Sequence, residues 1–387
     1  MNQPGPSVSS GGALTLGCAL LGLVGALLAT WVFPLGAAEA ASLSWLRGAA
    51  MPGMGWGELF RHVVARAASP AQPWLTLAAA AAVLKLVPAL GALFALRLPD
   101  VLAAAVVAGA LARLAGSRST GILAALLFVA SPVLWGTVAG TPGLVVDAAA
   151  AIVLYATMRE SAVRPAPGVP LACLLAVVVL IGNGAGVYAI AIGLGVWLHT
   201  GLARGEWRLF ASARLTALAG LVVAGLTLVN VLALPEWTRG LAFYRQLGVA
   251  MERGGLHVPI AIVAATVIAP SLVALAETVR RPGSAAGRLA LILGVGVIVL
   301  FSAATTPPLA VTALAPILLL WWTAPLVSTN ERAGAFWAAG FYVLAGLAAV
   351  AALLVVGRGE PAASTALVWL SRAAAVLLGL AAAVGLA

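Results

Sequence analysis

The chain has 387 residues, of which 63% are hydrophobic and only 8% charged, and its mean hydropathy is +1.12. No soluble fold can bury so much apolar surface, which excludes a soluble globular protein. The formal net charge is +10, but the arginines lie between apolar runs, so membrane orientation explains the charge and nucleic-acid binding is not expected. The apolar runs far exceed the roughly 10 residues of a barrel strand. The sequence therefore predicts an all-α fold, a polytopic transmembrane helical bundle forming a single domain over 1–387.

About twelve apolar stretches are candidates for membrane spans. The first half of the chain contains 13–34, 100–114, 121–138, 144–158, 169–181 and 186–199, and the second half contains 215–234, 258–275, 289–304, 309–326, 335–356 and 366–386. Several are shorter than the roughly 20 residues that a perpendicular helix needs, so we expect them to extend into the flanking turns. The first stretch lacks a preceding basic segment, and we expect a retained helix rather than a cleaved signal peptide.

Arginines mark every second short connection between the spans. They are Arg113 and Arg118, Arg159 and Arg164, Arg204, Arg208 and Arg214, Arg280, Arg281 and Arg288, and Arg332. The opposite turns, 140–143, 182–184 and 305–308, carry no arginine. By the positive-inside rule, the arginine loops and both termini face the cytoplasm of a bacterial-type inner membrane.

Two connections on the outer side are long, 35–98 and 235–257. In the first, one side of a helix would be apolar and the opposite side polar, which predicts an amphipathic juxtamembrane helix. The apolar side contains Leu59, Phe60, Val63, Val64 and Ala67, and the polar side contains Glu58, Arg61, His62 and Arg66. The range 74–96 is apolar enough to span, but a span there would break the arginine alternation. We expect a second helix lying along, or dipping into, the outer leaflet. The second loop combines arginines with aromatic residues, which suits contact with lipid headgroups.

Five short segments carry a resemblance to a known family. They are Pro34-Leu-Gly-Ala-Ala-Glu39-Ala after the first helix, Arg97-Leu-Pro-Asp100 opening the second, Ser131-Pro132 closing the third, Thr141-Pro142-Gly143, and the turn Gly182-Asn183-Gly184. In order and spacing, the first 200 or so residues resemble the GT-C membrane glycosyltransferases, especially the aminoarabinose transferase and protein O-mannosyltransferase group.

The resemblance implies transfer of a sugar from a polyprenyl-phosphate donor to an acceptor on the outer face of the membrane, and so an enzyme. Such chemistry needs a carboxylate to take the acceptor proton and a cation or oriented donors to hold the phosphate. The implied catalytic residues are Glu39 and Asp147. The chain departs from the family pattern at three positions. Ala38-Glu39 replaces an acidic pair, and Asn183 stands where a lysine is common. Family members have an aspartate after the Thr-Pro-like turn, whereas this turn ends in Gly143 and Asp147 follows about one helical turn later.

Each candidate residue also has a plainer interpretation. Glu39 could be the general base or a solvated interfacial glutamate, and Asp147 could bind substrate or stabilise the N-terminus of its helix. Arg61 and Arg97 could bind the lipid phosphate or extend to the headgroups. His62 could assist them or belong to the polar helix face. Asn183 could donate to the phosphate or form an ordinary tight turn.

The three histidines, His62, His199 and His257, do not form a metal-binding pattern. No cofactor is implied directly; Mg²⁺ or Mn²⁺ would have to use Glu39 and Asp147 with waters. An alternative function is a non-catalytic GT-C-like membrane protein that binds lipid or a partner membrane subunit. A lipid or solute transporter is third, because ionisable groups are scarce within the spans.

Overall fold

The computed structural model describes residues 9–33, 37–49, 54–67, 73–114, 118–130, 134–135, 138, 142–161 and 169–183, and isolated helical residues between 343 and 380. All regular structure in these ranges is helical, with no strand. The spans predicted from 186 to 326, and the outer loop at 235–257, lie outside the described residues; of the last two predicted spans only isolated positions are included.

Eight helices follow one another in these ranges. They are α1 (Ser9–Val32), α2 (Ala37–Ala49), α3 (Trp56–Ala67), α4 (Trp74–Leu86), α5 (Ala92–Leu114), α6 (Arg118–Ala130), α7 (Leu144–Ser161) and α8 (Val169–Gly182). A 3-10 turn at Pro88–Leu90 connects α4 to α5. Within this part of the chain, Gly12–Val32 and Ala92–Leu114 are long and apolar enough to cross a bilayer.

Helix α5 is central, since it packs against α1, α2, α4, α6 and α7. Its contact with α1 depends on small residues, because the Ala104 side chain is fully buried and a Cβ added at Gly22 would lie 2.5 Å from the Ala104 carbonyl oxygen. Small side chains let two helix backbones approach closely, which is how helices associate within lipid. The main apolar core continues from this contact into α6, α7 and α8.

The range predicted as the first outer loop contains the helices α2, α3 and α4. Helix α3 fits the predicted amphipathic pattern where its side chains are described: Leu59 is buried, whereas Glu58, Arg61 and His62 are exposed. Helix α4 has 13 residues, fewer than a perpendicular crossing needs. A second apolar cluster attaches these helices to α5; it consists of Leu43, Leu46, Leu59, Leu77, Ala80, Ala81 and Leu96.

The helix that contains the second predicted span is longer than its apolar stretch. Helix α5 starts at Ala92, within the range assigned to the outer loop, so it extends the stretch 100–114 towards the N-terminus, as expected for the shorter stretches. Arg97, Pro99 and Asp100 all lie inside this helix. Both charged side chains bind other parts of the protein, as described below. The helix can therefore continue past them, because neither needs to be in contact with water. Helices α7 and α8 agree with the predicted stretches to within a few residues.

Candidate functional site

Polar side chains collect where the C-terminal ends of α1 and α8 meet the N-terminal portions of α5 and α7. The alternation of predicted spans places all four helix ends on one side of the membrane, the predicted outer side. The buried polar residues there are Glu39, Thr76, Arg97, Asp100, Asp147 and Asn183, each no more than 6% exposed.

Glu39 and Arg97 form a buried, two-pronged ion pair. The guanidinium donates from Nε to Oε1 and from the second terminal nitrogen to Oε2, both at 2.7 Å. Its remaining terminal nitrogen donates to the carbonyl oxygens of Thr30 at 2.7 Å and Phe33 at 3.3 Å. These carbonyls lie at the C-terminal end of α1, where no further helical N–H can reach them. Arg97 therefore binds α2 through Glu39 and stabilises the end of α1.

Asp100 stabilises the opposite kind of helix end. Its Oδ2 accepts a hydrogen bond from the Gly143 N–H at 2.7 Å, and its Oδ1 accepts from Val145 at 2.9 Å and Val146 at 3.1 Å. The first N–H groups of a helix have no partner within the helix, and a carboxylate there is also favoured by the helix dipole. Asp100 thus fixes the first turn of α7 from a position on α5.

Asp147 lies in that same first turn and is held by Asn183. The Asn183 amide nitrogen donates to Asp147 Oδ1 at 2.9 Å. The Asn183 amide oxygen accepts from both the N–H and the hydroxyl of Thr76, each at 3.2 Å. Of the hydrogen bonds in the described ranges, Asp147 Oδ2 takes part in none, although the side chain is only 2% exposed. A buried carboxylate oxygen without a donor is the least satisfied polar atom of the cluster.

The structure therefore brings together four of the six residues predicted from the sequence: Glu39, Arg97, Asp147 and Asn183. Asp100 and Thr76 were not predicted. An aspartate within an apolar run is a signal for Asp100, because ionisable residues in spans are costly and usually have a specific role. No comparable signal marks Thr76, whose role depends on contact with a residue 107 positions away.

Arg61 and His62 lie elsewhere, exposed on α3. With Met54 and Glu58 they line a cavity of about 440 Å³. Lys85 donates to the Met54 carbonyl oxygen and lies 4.9 Å from the ring centre of Trp56. Arg61 can bind an anionic group in this cavity through its guanidinium, and the Glu58 carboxylate lines the same cavity.

The described residues contain no group of three or more His, Cys, Asp or Glu side chains that could hold a metal ion. A divalent cation held by protein carboxylates in this region would have to use Glu39, Asp100 or Asp147 together with waters. Every oxygen of Glu39 and Asp100 already accepts a hydrogen bond, which leaves Asp147 Oδ2 as the carboxylate oxygen that accepts none within the described residues.

No protein-family model and no curated protein sequence matches the chain. A crystal structure of ArnT from Cupriavidus metallidurans bound to undecaprenyl phosphate is similar over 98% of this chain and 77% of ArnT, with 16% identity and a TM-score of 0.50. The apo structure of the same protein is similar over the same shares, with 17% identity and a TM-score of 0.49. The chain therefore has a fold like that of ArnT, which agrees with the fold that its sequence resemblance implies.

Proposed function

We propose that this chain is a membrane glycosyltransferase-like protein that moves a sugar from a polyprenyl-phosphate donor to an acceptor on the outer face of the membrane. The observation that carries the proposal is the buried cluster of three carboxylates with Arg97 and Asn183, where four helix ends meet. A carboxylate at such a place can accept the proton of an acceptor hydroxyl, and its surroundings exclude water from the reacting groups.

Asp147 is the better candidate for the general base. Its Oδ1 is held by Asn183, while its Oδ2 has no hydrogen bond from the described residues and can receive a proton. Glu39 is the second candidate, but Arg97 occupies both of its oxygens, and the ion pair would have to open before Glu39 could act as a base. Asp100 contributes by holding the turn from which Asp147 projects.

The donor phosphate needs a cationic site. We assign Arg61 and His62 to this role, because they line one exposed cavity on α3; the sugar would then have to reach from this cavity to the separate Asp147 cluster. Arg97 donates hydrogen bonds to Glu39 and to the carbonyls at the end of α1, so its role in the proposal is to hold Glu39 in place. The undecaprenyl phosphate bound to ArnT is the same chemical class of ligand as the proposed donor.

The test is turnover of polyprenyl-phosphate sugars by the purified protein in lipid vesicles, with a membrane lipid extract as the source of acceptors. We expect Asp147→Asn to reduce turnover by about 100-fold or more, the usual effect of removing a general base. Glu160→Gln, at the other end of the same helix, is the matched control and should keep wild-type turnover. Equal background activity in the wild type, Asp147→Asn and Glu39→Gln would refute the enzymatic function.

The alternative, a non-catalytic GT-C-like protein that binds lipid or a partner subunit, has its own observation. Asp100 accepts three backbone N–H groups and Glu39 is fully paired, so two of the three carboxylates already have structural partners. Under this alternative, the wild type shows no turnover but still retains undecaprenyl phosphate through purification, detected by mass spectrometry of the bound lipid.

A further inference from the structure

The N-terminal end of α4 fits against the two turns that carry the site. A Cβ added at Gly143, where φ is +85°, would lie 2.7 Å from Pro73 Cβ and 3.0 Å from Thr76 Oγ1. At Gly182, an added Cβ would lie 3.1 Å from Leu75 Cβ. The first turn of α4 therefore packs directly on the turn before α7 and on the turn that ends α8.

This contact fixes which way the Asn183 amide faces. Its oxygen accepts from the backbone N–H and the hydroxyl of Thr76, so its nitrogen must face Asp147. If the amide turned over, its nitrogen would face the Thr76 N–H, placing two donors together. Its oxygen would then face the Asp147 carboxylate, placing two acceptors together. Both arrangements leave buried polar groups without hydrogen-bond partners, which is unfavourable.

We infer that Thr76 of the outer helix α4 is a positioning residue for the Asp147 carboxylate and acts through Asn183. Asn183 then serves to hold Asp147 rather than to bind the donor phosphate. The catalytic consequence rests on the proposed function, in which Asp147 takes the acceptor proton; the hydrogen-bonded chain itself does not. All three side chains are buried, so water does not replace a lost member easily.

The test uses Thr76→Val, which removes the hydroxyl at nearly constant volume, and Thr76→Ser, which keeps it. We expect Thr76→Val to lower kcat about three- to tenfold with KM unchanged, as the loss of one hydrogen bond predicts, and Thr76→Ser to restore it. Thr157→Val is the matched control, because within the described part of the chain the Thr157 hydroxyl bonds to carbonyl oxygens of α7 and to Cys173, and not to Asp147.

A second measurement does not need turnover. The infrared band of the Asp147 carboxyl is identified as the one that Asp147→Asn removes. We expect this band to shift in Thr76→Val and to keep its wild-type position in Thr76→Ser and Thr157→Val. A wild-type band and wild-type kcat in Thr76→Val would overturn the inference. If the wild-type protein turns over no donor, the proposed function fails and the band position alone decides whether Thr76 positions Asp147.

Discussion

Replacing Arg97 by methionine tests whether the buried ion pair holds the outer end of the bundle. The side chains of Arg97 and Glu39 are 2% and 1% exposed, and two hydrogen bonds of 2.7 Å join them. Methionine keeps most of the volume but removes the guanidinium that pairs with the buried Glu39 carboxylate. Breaking a buried ion pair from one side costs about 3–5 kcal/mol, so we expect the free energy of unfolding to fall by this amount.

The second substitution separates the charge from the packing. In the double variant Arg97→Met with Glu39→Gln, no charge remains unpaired, so the double variant should be more stable than Arg97→Met alone. Coupling energies between contacting residues are about 0.5–3 kcal/mol, so the double variant should regain up to this much of the free energy of unfolding that Arg97→Met loses. Glu39→Gln alone should be milder than Arg97→Met, because the guanidinium keeps its bonds to the Thr30 and Phe33 carbonyls.

Equilibrium unfolding in mixed micelles with increasing sodium dodecyl sulfate measures these differences. The control is Arg118→Met, an exposed arginine at the start of α6, which should change stability by no more than about 0.5 kcal/mol. The reasoning is refuted if Arg97→Met is no less stable than Arg118→Met, or if adding Glu39→Gln makes the Arg97→Met protein less stable still.

Three further predictions follow from glycine contacts and from orientation. Gly143→Ala should destabilise by about 2–5 kcal/mol, a sum of the positive-φ cost and the overlap with Pro73 and Thr76. Gly91→Ala, where φ is +74°, ψ is 152° and an added Cβ would meet nothing within 4 Å, should cost about 1–3 kcal/mol from backbone strain alone. A loss for Gly143→Ala no larger than that for Gly91→Ala in the same unfolding assay would argue against the contact of α4 with the Gly143 turn. Gly22→Ala should lower the free energy of unfolding by about 1–3 kcal/mol, because the added methyl group separates α1 from α5. Gly17→Ala is the control, since a Cβ added there meets nothing within 4 Å and should cause no such loss. A Gly22→Ala protein as stable as the wild type would contradict the close approach of α1 to Ala104. In a variant lacking Cys18 and Cys173, a cysteine replacing Glu58 should react with a membrane-impermeant maleimide added outside intact cells, and one replacing Arg118 should not; the reverse labelling would overturn the orientation.

The extents of α7 and α8 could be predicted from the sequence because continuous apolar residues define them. The start of α5 could not. Arg97 and Asp100 interrupt an apolar run, and in isolation such charges indicate a helix end. Their partners lie 58 and 43 positions away in the chain, so the tertiary contacts that allow them inside the helix leave no local signal.

The candidate site, too, could be predicted from the sequence only in part. Glu39 and Asp147 could be selected because acidic residues are scarce in this chain, and a scarce ionisable group near a membrane is a functional candidate. The ion pair between Glu39 and Arg97 could not be predicted, because each residue alone is also typical of a solvated membrane interface. Asn183 presented two interpretations, turn and donor. The packing of α4 adds a third, since only the neighbouring helix determines where its amide nitrogen faces.

The order of synthesis gives the capping by Asp100 a further consequence. Asp100 leaves the ribosome well before Gly143, Val145 and Val146, and Asp147 leaves it before Asn183. A single aspartate at the centre of an inserting helix costs about 2.5–3.5 kcal/mol, and less near an end. If α5 and α7 cross the bilayer as the sequence predicts, α5 inserts with an aspartate whose partners do not yet exist, and α7 then does the same. Insertion of α5, α7 and α8 is expected to be mutually dependent, with each later helix retaining the one before it.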